Sequence, residues 1–164
     1  QLPALAGRNA VLRHVAGEWQ LAGILTAQTG LPVIVTQSSS TSNQRADYIG
    51  GQALLPDYQH TIRYLNPAAF QRIPVSSASG APIRAGNYSP GALRAPGLWN
   101  LNFSLAKNFT MIEKVKLQIR TDMFNALNHT SLSGLRTSLN DPLFGQLLST
   151  QGARVMQWNA RIIF

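Results

Sequence analysis

Along 97–110, "GLWNLNFSLAKNFT", apolar and polar residues alternate one by one. Trp99, Leu101, Phe103, Leu105 and Phe109 fall on one side, interrupted only by Lys107. Asn100, Asn102, Ser104, Ala106 and Asn108 fall on the other. Successive side chains of a strand point to opposite faces, so this stretch predicts a strand with one apolar and one polar side. The pattern recurs at 113–124, where Val115, Leu117, Ile119, Thr121 and Met123 oppose Lys114, Lys116, Gln118, Arg120 and Asp122. A helix would space its apolar residues by three and four instead. "TMIEK" (110–114) then reads as the turn of a hairpin. The closing "RVMQWNARIIF" alternates too. Met156, Trp158, Ala160, Ile162 and Phe164 share one face there, Gln157, Asn159 and Arg161 share the other, and Ile163 is out of pattern.

In 17–36 the odd positions carry Trp19, Leu21, Leu25, Leu31, Val33 and Val35, and the phase runs unbroken past Gly30 and Pro32. A hairpin or a one-residue bulge would normally shift that phase, so the pattern predicts one strand of about 18 residues, with Pro32 at a weakened or edge position. Residues 1–16, punctuated by Pro3 and Gly7, read as a turn region in which Asn9 caps a short helical turn. Residues 37–96 are rich in Ser, Asn, Gly and Pro and hold no durable period, so they read as a long loop. Its most apolar portion, "YLNPAAF" (64–70), is expected to fold back as a plug or a short helix. "FNALNHT" (124–130) ends the second hairpin strand in Asn-rich turn chemistry, and 125–152 is a second polar loop with "FGQLLS" (144–149) as a short strand.

Composition sharpens this all-β picture. Hydrophobic residues make up 45% of the 164, but charged residues only 12%, against roughly 25% in average soluble proteins. That is little charge for a surface turned wholly to water. Lys and Arg number 14 against 6 Asp and Glu, a net charge of +8. The basic residues are spread singly, which argues against a nucleic-acid footprint. The absence of Cys excludes disulfides, thiolate metal sites and Cys nucleophiles. No stretch reaches the ~18 apolar residues of a membrane helix. The chain starts at Gln1, so a processed product or a piece of something longer is expected.

Alternation alone leaves two architectures open, because a membrane barrel and a soluble antiparallel β-sandwich both bury one face of each strand. Four stretches bear on the choice: "GEWQLAGILTAQTGLPVIV", "RYLNPAAF", "APGLWNLNFSLAKNFTMIEKVKLQIRTDMFNALNHTSL" and "NARIIF". In order and spacing they resemble the carboxy-terminal end of a TonB-dependent outer-membrane receptor of the Oar-like branch, whose members often carry a carboxypeptidase-regulatory-like domain. Such receptors are large barrels of about 22 strands with a plugged lumen. The amino-terminal plug and energy-coupling box of the family are missing from this sequence. The resemblance implies an antiparallel membrane β-barrel segment, the last four or so spanning strands, at about 17–36, 97–110, 113–126 and 153–164. It places 37–96 and 125–152 outside the cell and "TMIEK" and 1–16 in the periplasm.

The resemblance also implies roles. Trp99, Leu101, Phe103, Leu105, Leu117 and Ile119 would face lipid, and Lys116, Gln118, Arg120 and Asp122 the lumen. Trp158, Ala160, Ile162 and Phe164 would form the terminal signal read by the barrel insertion machinery. Trp19, Trp99, Trp158 and Phe109 fit interfacial aromatics or a packed core equally well. Further implied partners are the rest of the barrel and plug in the parent chain, outer-membrane lipid and lipopolysaccharide, and the TonB complex through the missing plug. The implied location is the outer membrane of a Gram-negative bacterium.

Catalytic chemistry finds little footing. His14, His60 and His129 lack ligand spacing, and Glu113 and Asp122 stand nine apart with nothing to pair them as acid and base. "GALRAPG" lacks the lysine and helix context of a phosphate loop, and the glycosylation tripeptides at Asn102, Asn108 and Asn128 read as chance. No cofactor is implied and no enzyme is expected. The alternative function is a secreted or surface-attached β-rich binding protein that assembles through strand edges.

Overall fold

The computed structural model describes residues 17–39, 42–112 and 115–164; the expected turn at 1–16, with Asn9 as its cap, and the tip of "TMIEK" lie outside the described residues. Two units divide the chain, one of 1–27, 99–129 and 152–164, the other of 28–98 and 130–151.

The first unit holds a four-stranded sheet in the order β1 (Trp19–Gln28), β8 (Leu98–Ile112), β9 (Val115–Phe124), β12 (Val155–Ile163). Its strands are those that alternate most strictly in sequence. β8 and β9 pair antiparallel from Phe103↔Met123 through Phe109↔Leu117 to Ile112↔Val115, with a register shift between Thr110 and Ile112. β12 pairs antiparallel with β9 from Val155↔Phe124 to Ile163↔Lys116. The hairpin is longer than the sequence suggests, since β8 runs on through Thr110 and Met111 into "TMIEK". Among the described residues β1 and β12 are the outer strands, and the sheet they bound does not close on itself.

The single strand expected over 17–36 does not form. β1 ends at Gln28, and β2 (Pro32–Val33) and β3 (Thr36–Ser38) follow as separate short strands. Gly30 marks the break: a Cβ there would stand 1.7 Å from the Ala95 carbonyl oxygen. The 95–96 backbone passes where any other side chain would be, and the Ala95 N–H donates to the Leu31 carbonyl at 2.8 Å. Unbroken parity misled because the odd positions stay apolar on both sides of the break, although residues 29–31 separate β1 from β2. Val33 and Val35 continue the odd series, yet they are buried in the core of the second unit.

That core organises 37–96 and 125–152, which the sequence reads as a long loop and a second polar loop, well beyond the fold-back at 64–70 and the short strand at 144–149. Four two-stranded ladders form: β2 with β7 (Leu93–Arg94), β3 with β4 (Asn43–Arg45), β5 (Asp47–Tyr48) with β6 (Phe70–Gln71), and β10 (Ser131–Leu135) with β11 (Leu147–Gln151). The expected strand at 144–149 is thus displaced to Leu147–Gln151. Val33, Val35, Ala46, Tyr64, Leu65, Ala69, Phe70, Tyr88 and Leu147 cluster as one buried core. "YLNPAAF" supplies four of these nine residues. Its Asn66 side chain caps a 3₁₀ turn at Pro67–Ala69, with Oδ1 accepting from Ala68 N–H at 3.1 Å. The Asn cap and the preset φ of Pro67 make that turn local, and it aims Leu65 and Phe70 inward. A four-residue helix, α1 (Tyr58–Thr61), precedes it.

Polar groups buried with this core are paired. The Gln37 amide acts as a piece of strand, donating to Ile73 O at 3.1 Å and accepting from Ile73 N–H at 2.8 Å. Asp47 is buried, accepts from Arg84 Nη1 at 2.9 Å and from Asn87 N–H at 3.0 Å, and also pairs with Arg84 Nη2. The hydrogen bonds from Arg84 hold its carboxyl below the ordinary value of 3.8, against the opposing effect of burial. Among the described residues no helix is long and apolar enough to cross a membrane.

Candidate functional site

The register of the four-stranded sheet sorts its side chains into two continuous faces. Phe103, Leu105, Lys107 and Phe109 of β8 stand beside Met123, Thr121, Ile119 and Leu117 of β9. Those four stand beside Met156, Trp158, Ala160 and Ile162 of β12. Cross-strand partners share a face, so the odd residues of β8 and β9 and the even residues of β12 make one apolar surface. A Cβ built on Gly23 would lie 3.9 Å from the Phe103 ring, which puts the odd residues of β1 on that surface too. The surface is open: Leu21 is 54% exposed, Trp158 70% and Ile162 57%. A sandwich would cover it with a second sheet.

Aromatic residues mark both ends of this surface. Trp99 stacks on His129, ring centroids 4.1 Å apart and planes 24° apart. Trp19 and Phe109 flank Lys107, whose Nζ stands 4.9 Å and 5.7 Å from their ring centroids. Lys107 is buried and also donates to the Gly17 carbonyl. The one residue that interrupts the apolar pattern of β8 is therefore covered, with its charge held against ring faces and a carbonyl. Trp99 and Phe109 are ten residues apart, about 33 Å along a strand. At a tilt of ~40° that is about 25 Å in height, the height of the apolar band of a membrane barrel.

The opposite face is polar and cross-linked. Ser104, Ala106 and Asn108 of β8 stand opposite Asp122, Arg120 and Gln118 of β9. Arg120 Nε donates to Asp122 Oδ1 at 2.9 Å, its Nη2 to Ser104 Oγ at 3.1 Å, and Ser104 Oγ–H to Asp122. Gln118 Nε2 donates to Asn108 Oδ1 at 2.9 Å. Of the four polar positions singled out on β9, the structure joins Gln118, Arg120 and Asp122 to β8. Lys116 shares their face and has no side-chain partner among the described residues.

The turn after β9 is organised by Asn125, which the sequence marked only as one of several asparagines. Its backbone adopts φ +50°, a conformation that Asn tolerates better than most residues. Its side-chain NH₂ donates to His129 O at 2.9 Å and Gly152 O at 2.8 Å, and its Oδ1 accepts from His129 N–H at 2.9 Å. One amide thus holds both stems of the 130–151 segment. The last positions singled out, Trp158, Ala160, Ile162 and Phe164, follow the alternation of β12, and Phe164 is 93% exposed just past the strand.

A family model for an outer membrane beta barrel domain matches residues 1–157, a span that stops just short of those last four positions. No curated protein and no solved structure matches the chain. The match covers nearly the whole sequence, and the two-faced antiparallel sheet has the alternation such a barrel requires. The chain belongs to the outer membrane beta barrel domain family, whose place is the outer membrane of Gram-negative bacteria.

Proposed function

We propose that the chain contributes four strands to the barrel of a TonB-dependent receptor, of the Oar-like kind its motifs resemble, and that this receptor binds or imports a solute at the cell surface without catalysing a reaction. The observation that carries the reading is the four-stranded sheet with an open apolar face and, among the described residues, two free edges. Membrane barrels begin at about eight strands, so β1 and β12 require further strands of a parent chain as partners. In that barrel Trp99, Leu101, Phe103, Leu105, Leu117 and Ile119 face lipid, with lipopolysaccharide in the outer leaflet. Lys116, Gln118, Arg120 and Asp122 face the lumen and the plug, through which the TonB complex acts. Residues 37–96 and 125–152 face the medium, and no nucleic acid is involved. Trp158, Ala160, Ile162 and Phe164 present the final strand to the insertion machinery.

Two measurements on the full-length parent test this. Ser77→Cys and Ser133→Cys should react with a membrane-impermeant maleimide on intact cells, while Met111→Cys should react only after the outer membrane is permeabilised. Cross-linking to the periplasmic domain of TonB should be detectable in the same cells. Labelling of Met111→Cys alone on intact cells inverts the topology, and a parent that never contacts TonB is not a TonB-dependent receptor.

A further inference from the structure

The second unit contains an open pocket of about 450 Å³, lined by Tyr48, Ala53, Asn87, Tyr88, Ser89, Ala92 and Leu93. Its volume falls in the range of small-molecule sites, which run from about 300 to 1,000 Å³. We propose that this pocket binds a neutral sugar ring. The proposal rests on the receptor reading, in which 37–96 faces the medium, and it names the class of solute.

Three features point to this ligand. The first is rigidity. The wall that carries Asn87, Tyr88 and Ser89 is fastened to β5 before any ligand arrives. Arg84 and the Asn87 N–H bind the Asp47 carboxylate. The Asn87 side chain pairs with both backbone groups of Tyr48, accepting from its N–H at 2.7 Å and donating to its carbonyl at 3.2 Å. Gly86 brings the same wall so close that a Cβ would stand 2.0 Å from the Arg45 carbonyl oxygen. A wall pinned in this way costs little ordering when it binds.

The second is charge. Every lining side chain is uncharged, although the surrounding unit is rich in arginine. An anionic or cationic solute would find no counter-charge in the lining itself. The third is the surface offered. Tyr48 is 39% exposed and buttressed by Phe70 at 6.0 Å, which leaves aromatic surface available to the C–H groups of a sugar. Its hydroxyl donates to Gly51 O at 2.6 Å, so its oxygen still accepts. The Ser89 hydroxyl has no partner among the described residues and both donates and accepts. Ala53, Ala92 and Leu93 complete an apolar floor. An aromatic wall, an apolar floor and two hydroxyl oxygens match a ring that has C–H faces and an equatorial rim of hydroxyls.

The test uses the full-length parent purified in detergent, with folding checked by heat-modifiable gel mobility. Saturation-transfer NMR and calorimetry are run with D-glucose, D-galactose, N-acetyl-D-glucosamine, lactose and cellobiose, and with D-glucuronate as the anionic control. At least one neutral sugar should bind. Tyr48→Ala should weaken it by about tenfold and Tyr48→Phe far less, since the ring is kept. Ala92→Trp should fill the pocket and abolish binding while mobility stays wild-type. Absence of binding by every neutral sugar to folded protein overturns the proposal. So does equal binding by wild type and Ala92→Trp, or tighter binding of glucuronate than of glucose. Sugar binding without energised uptake supports the pocket and refutes import, whereas energised uptake of another solute without sugar binding refutes the pocket alone.

Discussion

Met156 and Gln157 are neighbours in β12 at nearly the same height, and they point to opposite faces. Met156 stands in the row Phe103–Met123–Met156, and Gln157 in the row Ser104–Asp122–Gln157. The Phe103 row lies four residues from Trp99 and six from Phe109, about 13 and 20 Å along the strand. At a tilt of ~40° these become about 10 and 15 Å of height, so the row sits close to the bilayer midplane. Arg on the lipid face at that depth costs about 2–4 kcal/mol. Met156→Arg should therefore lower the folding equilibrium of the full-length parent by roughly 30- to 700-fold. Gln157→Arg places the same charge on the polar face beside Asp122, where a surface substitution shifts stability by only about 0.5 kcal/mol. The assay is urea unfolding of the parent in lipid vesicles, followed by tryptophan fluorescence. Equal losses from both variants would mean that both faces are buried. No loss from Met156→Arg would mean that the apolar face does not touch lipid. Either result refutes the assignment of faces.

Other expectations concern the second unit and the terminus. Leu65 is 1% exposed, and Leu65→Ala should destabilise the second unit by about 2–5 kcal/mol through the cavity it leaves; protease cuts within 37–96 should appear while the barrel keeps its heat-modifiable mobility. The Asp47 carboxyl is held below 3.8 chiefly by Arg84. A depressed folded-state value stabilises the fold above the unfolded value of about 3.9 and is lost as pH falls through the folded value. Protease resistance of 37–96 should accordingly stay level from pH 7 to pH 5 and fall only below about pH 4, and Asp47→Asn should remove that acid-side step. Deleting Phe164 should lower outer-membrane yield of the parent without lowering synthesis, and Phe164→Tyr should be mild because the ring is retained. Equal yield from the deletion would make Phe164 a residue with no part in insertion.

β8, β9 and β12 were legible because each spans nine residues or more with one face apolar. A sheet strand of that length imprints its period of two directly on the sequence. The 17–36 stretch carries the same imprint, yet breaks at Gly30. Parity records which residues turn inward but not what they turn toward, and the collision that forbids a side chain at Gly30 comes from Ala95, 65 positions away. The core of the second unit was illegible for a related reason. Its strands β2 to β7 are two or three residues long, too short to show any period. Local chemistry still left traces there: "YLNPAAF" was visible as an apolar knot, and its Asn-Pro pair became a capped 3₁₀ turn. Asp47–Arg84 and the Asn125 clamp left almost none. The first joins positions 37 residues apart, and the second uses backbone carbonyls, which no sequence distinguishes.

The sequence by itself determined that the sheet has two unlike faces. Side-chain direction in a strand follows from backbone geometry alone, so a strict apolar–polar alternation needs no tertiary context to be read. It determined the scarcity of charge as well, and with it the poor fit to a wholly aqueous surface. Tertiary structure decided where each strand stops, which strands pair and in what register. It also decided that the long Ser-, Asn- and Gly-rich segments fold around Tyr64, Leu65, Phe70 and Tyr88. These outcomes depend on contacts between residues distant in sequence, where burial and backbone hydrogen bonds offset the entropy of closing long loops. No local pattern encodes which distant carbonyl will lie against a given glycine or amide.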